Sequence, residues 1–260
     1  MERDEILALY DRALREHAAP DGPGARVERA GRVVRQIAAH GWNGVLWSAL
    51  DERGADEAIR EQIARFTALG HDFEWKLHGH DRPGDLGARL TAAGFRAEPT
   101  ETLMIGEIER LDLFTGLPDG VRLVEATDAA GVDLAVAVHE RAFGTDGSAL
   151  RHHLLDRLAA DPGTAAAVVA LAGDEPVSAA RLELVPGTPF AGLWGGGTVE
   201  AWRGRGLYRA LVAHRARVAA AHGRRYLQVD ASPMSRPVLE RLGFLALTTT
   251  TPYLYEQPGR

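Results

Sequence analysis

The stretch Gly195-Gly196-Gly197-Thr198-Val199-Glu200-Ala201-Trp202-Arg203-Gly204-Arg205-Gly206-Leu207-Tyr208 constrains this chain more than any other. It joins an apolar strand pattern over Phe190–Val199 to a helical pattern over Leu207–His222, with glycines spaced through the connection. A helix that opens in this way presents unpaired backbone N–H groups and the positive end of its dipole. Gly204 and Gly206 let the backbone approach an anion closely, and Arg203, Arg205 and Arg209 add charge, so a pyrophosphate suits the turn. No Gly-Lys-Ser/Thr follows, which rules out a nucleotide P-loop, and the Gly-x-Gly-x-x-Gly spacing of a dinucleotide fold is missing. Gly195, Gly196 and Gly197 in succession weaken a strand and predict a bulge or a close backbone neighbour.

A chain of 260 residues has room for two modest cores. With 45% hydrophobic and 25% charged residues, it holds no apolar run near the ~18 residues of a membrane helix, so no membrane partner is expected. The start, Met1-Glu2-Arg3-Asp4-Glu5, lacks the basic-then-apolar order of a secretory signal. The absence of cysteine excludes disulfides, thiolate metal sites and cysteine nucleophiles, and a cytoplasmic location is the default. A net charge of −6 argues against a nucleic-acid partner, which selects a basic face.

Apolar spacing predicts helices over residues 4–17, Arg26–Ala39, Asp56–Leu69 and Asp85–Ala93. Strands are predicted within Asn43–Leu50 and over Phe73–Leu77 and Thr102–Ile108. Phe114–Gly120 reads as a linker, giving domains 1–115 and 116–260. Beyond it come a strand at Val121–Glu125, helices in Asp133–Phe143 and Leu150–Asp161, strands Ala166–Ala172 and Pro176–Val185, and a hairpin whose loop Pro186-Gly187-Thr188-Pro189 leads into the strand Phe190–Val199. After the glycine turn and its helix follow a strand Tyr226–Asp230, a helix Arg236–Leu242 and a strand Thr248–Tyr255. This alternation implies an α/β (α+β) class, with a mixed sheet covered by helices. Asp81 to Gly94-Phe95 and Asp230 to Gly243-Phe244 have the same separation and the same turn–helix content, which suggests two related domains in tandem.

Arg203-Gly204-Arg205-Gly206-Leu207-Tyr208 resembles the Arg/Gln-x-x-Gly-x-Gly/Ala acetyl-CoA signature of GNAT acetyltransferases, with Tyr208 where the family has a small residue. Ser232, Ser235 and Leu239-Glu240-Arg241-Leu242-Gly243-Phe244 resemble the family's downstream element. The resemblance covers roughly 121–255. It implies two tandem GNAT-like domains, each a mixed, mostly antiparallel sheet flanked by helices. It also implies acetyl-CoA as co-substrate, held at Gly196, Gly197, Thr198, Arg203 to Arg209, Ser232 and Ser235, and a small-molecule amine as acceptor. No metal enters this chemistry. In the first half, Ser48 to Ala55 offers acidic residues and one glycine where the phosphate turn would be, so that half reads as a degenerate copy.

Acyl transfer to an amine needs a deprotonated nucleophile held beside the thioester. Glu200 and Glu183 are the candidate bases near the glycine turn, each with the alternative of an ordinary surface ion pair. Leu239 stands where the family often has the tyrosine that protonates the leaving thiolate, which leaves Tyr208, Tyr253 or Tyr255 as substitutes or as packing residues. His139 and Glu140 are candidates for the acceptor side. His78-Gly79-His80-Asp81 reads as hydrogen-bonded side chains rather than a metal site. An acyl-CoA sensor without turnover is the alternative function.

Overall fold

The computed structural model describes residues 2–22, 24–39, 41–114, 116–160 and 165–257. Thr115, at the expected boundary, and Asp161, at the expected end of a helix, lie outside them. In chain order, α1 (Arg3–Tyr10) runs on as a π-helical turn (Asp11–Glu16) and is followed by β1 (Ala25–Ala30), β2 (Val33–Ala38) and β3 (Gly44–Ser48). Next are α2 (Ala55–Leu69), β4 (Phe73–His78), α3 (Leu86–Ala92), β5 (Arg96–Ala97) and β6 (Glu101–Glu107). Then come β7 (Val121–Glu125), α4 (Ala129–Phe143), α5 (Ser148–Ala160), β8 (Ala165–Ala172), β9 (Glu175–Leu184) and β10 (Phe190–Thr198). The chain ends with α6 (Leu207–Ala221), β11 (Tyr226–Ala231), α7 (Arg236–Arg241) and β12 (Leu245–Tyr255). No described helix is long and apolar enough to cross a membrane.

Two compact units emerge, and they interleave in sequence. The first comprises Met1–Leu103, Asp230–Pro233 and Ala246–Arg260, and the second Met104–Val229 and Met234–Leu245. The sequence alone suggested a single cut near residue 115.

In the first unit β1, β2 and β3 are antiparallel, β3 and β4 parallel, and β4 and β12 antiparallel. The helix expected over Arg26–Ala39 is instead the β1–β2 hairpin. Ala30 pairs with Val33, leaving a two-residue turn in which Gly31 takes φ +56, a conformation that glycine adopts without strain. Cross-strand charge fixes the register further, because Glu28 accepts hydrogen bonds from Arg26 and Arg35 and from Arg65 on α2. Burial alone would raise the Glu28 carboxyl, but those three arginines hold it at about 2. One face of this sheet packs on α2 through Val45, Ile59, Phe66, Phe73 and Trp75, with Phe66 and Phe73 stacked at 4.2 Å.

Strand alternation turns Lys76 and His78 to the other face. There Lys76 pairs with Asp230, and Asp230 also accepts from the Thr250 hydroxyl at 3.0 Å. The Tyr10 hydroxyl lies 3.2 Å from His78 Nε2, and burial pushes the Tyr10 phenol up to about 12. Burial, with Arg15 and Lys76 adding positive charge, holds His78 well below the usual imidazole range. The unfolded chain therefore binds this proton more tightly, so stability is complete above ~6.5 and falls as pH drops below it. The urea midpoint is expected to be lower at about pH 5.5 than at about 7.5, and His78→Gln should reduce that difference. An unchanged difference in the variant would remove His78 as its source.

In the second unit β7, β8, β9 and β10 are antiparallel neighbours, and β10 and β11 are parallel. On one face α4 covers Val169, Leu171 and Ala179 through Val132, Ala135 and Val136. On the other, Leu211 of α6 packs on Val168 and Ala180. The repeated segment has the same local geometry in both places. Phe95 N–H donates to Leu90 O at 3.1 Å and Phe244 N–H to Leu239 O at 3.0 Å, after Gly94 and Gly243 at φ +100 and +98.

Candidate functional site

The parallel pairing of β10 with β11 covers only Phe190/Tyr226, Ala191/Leu227 and Gly192/Gln228. Immediately beyond it β10 bulges, since Trp194 pairs with Arg181 and Gly197 with Ala179, leaving Gly195 and Gly196 as the irregularity. Glycine is required here. A Cβ on Gly196 would lie 2.9 Å from Tyr208 Cε2, one on Gly197 would lie 2.9 Å from Phe143 Cε2, and Gly195 has φ +56. Gln228 is buried where the parallel pairing ends, and its Oε1 has no hydrogen-bond partner among the described residues. A buried orphan acceptor of this kind points to a missing donor.

Arg203 closes the corner between β10 and α6, its Nε donating to Thr198 O at 3.2 Å and its Nη2 to Ala142 O at 3.4 Å. The Thr198 hydroxyl is 2.7 Å from that of Ser178, which donates to Gly197 O at 2.8 Å. Gly204 and Gly206 have φ +75 and +84, and a Cβ on either would meet no atom within 4 Å. The mouth of α6 is thus an open cradle that glycine shapes. Arg205 stacks over Trp202 at 4.6 Å, and Arg205 and Arg209 are exposed beside the cradle, while Leu207 is buried under it. Open space, backbone N–H groups and exposed arginines fit a pyrophosphate.

The candidate acid and bases are distributed unequally. Tyr208 hydrogen-bonds Ser235, and burial raises its phenol so that it stays protonated. Glu183 lies 3.6 Å from Arg181 Nη1 and 3.8 Å from His153 Nε2. Burial would raise its carboxyl, yet the His153 hydrogen bond and the charges of Arg181 and Arg157 bring it below the usual range, so it remains an anion. Arg181 links this cluster to the bulge, its Nε lying 3.2 Å from a Cβ built on Gly195. Glu200 is exposed in the turn Glu200–Trp202, with no side-chain partner among the described residues. His139 Nε2 is 3.1 Å from the Thr145 hydroxyl and its ring packs on Phe143, whereas Glu140 accepts from Gly147 N–H. Ser232 belongs to the Asp230–Pro233 segment of the first unit. In that unit His80 is held by Asp11 at 2.8 Å and His78 by Tyr10. Tyr253 and Tyr255 pack against its apolar core.

Residues 132–244 match the family model described as "Acetyltransferase (GNAT) family". This segment is a GNAT acetyltransferase domain. A search of curated proteins finds no match. Among solved structures, a GCN5-related N-acetyltransferase from Kribbella flavida is similar with a TM-score of 0.70 at 18% identity, covering 99% of this chain and 95% of that one. A tandem GNAT protein from the clavulanic acid biosynthesis pathway is similar with a TM-score of 0.62 at 16% identity, covering 93% and 86%. A GCN5-related N-acetyltransferase-like protein from Streptococcus suis gives 0.61 at 13% identity, covering 98% of both chains. At these identities the likeness is one of fold, and it extends over nearly the whole chain.

Within the GNAT segment, three residues went unnoticed in the sequence. Gln228 and His153 carried no signal, because a glutamine in an apolar strand and a histidine on a polar helix are common. Arg215 did carry one. It stands four residues after Leu211 and eight after Leu207, on the buried stripe of α6.

Proposed function

We propose that the chain is an acetyl-CoA-dependent N-acyltransferase acting on a small-molecule amine, with acetyl-CoA held in the second unit. The observation that carries this reading is the open glycine cradle at the mouth of α6, where Cβ atoms on Gly204 and Gly206 would meet nothing within 4 Å. Bound acetyl-CoA supplies the thioester that the amine attacks. Backbone N–H groups at Gly204 to Tyr208, with Arg203, Arg205 and Arg209, hold its pyrophosphate. The bulge at Gly195 and Gly196 gives the narrow arm of the ligand room beside backbone, and Gln228 Oε1 offers it an acceptor. Tyr208, protonated and steadied by Ser235, is positioned to return a proton to sulfur. Glu183, kept ionised by Arg181 and His153, orients those groups on the acceptor side and receives the amine proton through water. The first half, without a glycine cradle at Ser48 to Ala55, serves as a degenerate GNAT-like partner.

The test is thiol release from acetyl-CoA across a panel of amines. Amine-dependent release supports the enzyme reading. Saturable acetyl-CoA binding with no release for any amine would instead favour the sensor, to which the buried Leu239 in place of a tyrosine lends support.

A further inference from the structure

In each unit a buried arginine serves a backbone carbonyl at a β-bulge. In the first, β2 and β3 pair Val34 with Trp47 and Arg35 with Val45, so Leu46 is skipped, and Arg15 Nε donates to Leu46 O at 3.0 Å. In the second, Arg181 lies opposite the start of the glycine bulge, and Arg215 Nη1 donates to Arg181 O at 2.9 Å. A second bond, from Arg215 Nε to Leu211 O at 3.1 Å, fixes the plane of the guanidinium.

The two arginines differ in counter-charge. Arg15 is neutralised by Asp81 and Asp11, each at 2.7 Å. Arg215, only 2% exposed, forms no ion pair with a carboxylate among the described residues. Burying a cation without an anion is costly, and a cation needed only for packing is commonly replaceable by an apolar side chain. Burial accordingly pulls the Arg215 guanidinium down to about 10. Its remaining nitrogen faces the glycine bulge beside Tyr208: a Cβ on Gly196 would lie 4.0 Å from Arg215 Nη2 and 2.9 Å from Tyr208 Cε2. On the acyltransferase reading, negative charge arises there only when Tyr208 gives up its proton.

We propose that Arg215 is a positioning residue of acyl transfer that acts through Tyr208, holding the glycine bulge in shape and stabilising the phenolate formed when Tyr208 gives up its proton. This rests on the acyltransferase reading above. As the amine nitrogen bonds to the acyl carbon, the carbon–sulfur bond breaks and its electron pair stays on sulfur. The Tyr208 proton passes to that thiolate, the amine proton leaves through water, and solvent returns a proton to Tyr208. Over this interval the Arg215 charge lies beside the phenolate in a water-poor setting, where such a charge acts most strongly. The two groups already influence each other, because the Arg215 charge opposes the rise that burial imposes on the phenol.

The experiment is a double-mutant cycle on kcat, with acetyl-CoA affinity measured in parallel by calorimetry. Arg215→Met is expected to lower kcat by ~100-fold, the usual effect of losing one preorganised stabilising group, while leaving the acetyl-CoA Kd within about three-fold. Tyr208→Phe should show a similar loss, and the double variant no more than the worse single, since each acts through the other. A kcat unchanged in Arg215→Met, or losses that multiply in the double variant, overturns the proposal. Should Arg215→Met not fold, Arg215→Lys carries the same test, with a kcat loss expected in the wild-type background and none beyond it in the Tyr208→Phe background. A wild-type protein that binds no acetyl-CoA, or binds it and never releases thiol, overturns the acyltransferase reading and this role together. Turnover that tolerates Arg215→Met overturns this role alone.

Discussion

In calorimetric titration, Gly206→Glu is expected to lose measurable acetyl-CoA binding, with Kd raised at least ~100-fold. Gly206 caps α6 at φ +84, and a Cβ there meets no atom within 4 Å, so the larger side chain projects into open space rather than into the core. The backbone strain of a non-glycine residue in that conformation costs on the order of 1–2 kcal/mol. The new carboxylate does the greater damage, because it competes for the same N–H groups and places like charge against the pyrophosphate, which costs several kcal/mol. A fall in thermal stability no larger than the backbone strain accounts for would localise the binding loss to the ligand site. Unaltered binding would move the pyrophosphate away from this cradle and remove the main support for the proposed function.

Arg15→Ala is expected to lower stability by about 3–5 kcal/mol, the range seen when one partner of a buried ion pair is removed. Arg15 and Asp81 are 3% and 4% exposed, and Arg15 Nη2 lies 2.7 and 2.8 Å from the two carboxylate oxygens of Asp81. Truncation strands the Asp81 carboxylate in the interior and releases the carbonyl of Leu46, which the β2–β3 ladder skips. Urea denaturation measures the loss directly. Arg15→Lys should recover part of it, because an ammonium keeps the charge but not the planar fork that spans Asp81, Asp11 and Leu46 O. A loss below about 1 kcal/mol for Arg15→Ala would mean that the cluster is no more than a surface network.

Much of the fold was legible because its signals are local. Gly70 at φ +68, Gly144 at φ +70 and Gly243 at φ +98 end helices that apolar periodicity had already outlined. The glycine-arginine turn was equally plain, since positive φ at Gly204 and Gly206 is a backbone requirement that shows in residue identity. The β1–β2 hairpin escaped notice because Val27, Val34 and Ile37 also match a helical spacing. Only pairing across Gly31, with Glu28 between Arg26 and Arg35, distinguishes the two conformations.

The sequence by itself determined the class of fold, the GNAT resemblance and the place of the glycine-arginine turn, because each depends on residues a few positions apart. Tertiary structure decided what depends on distance in the chain. It counted the C-terminal strand residues with the first unit, and it set Glu183 beside Arg181 and His153. It also gave Arg15 two carboxylates and Arg215 none, although in the sequence both are single arginines on helical segments. Charge compensation depends on which distant side chains share a desolvated space, and burial settles that only when the elements pack together.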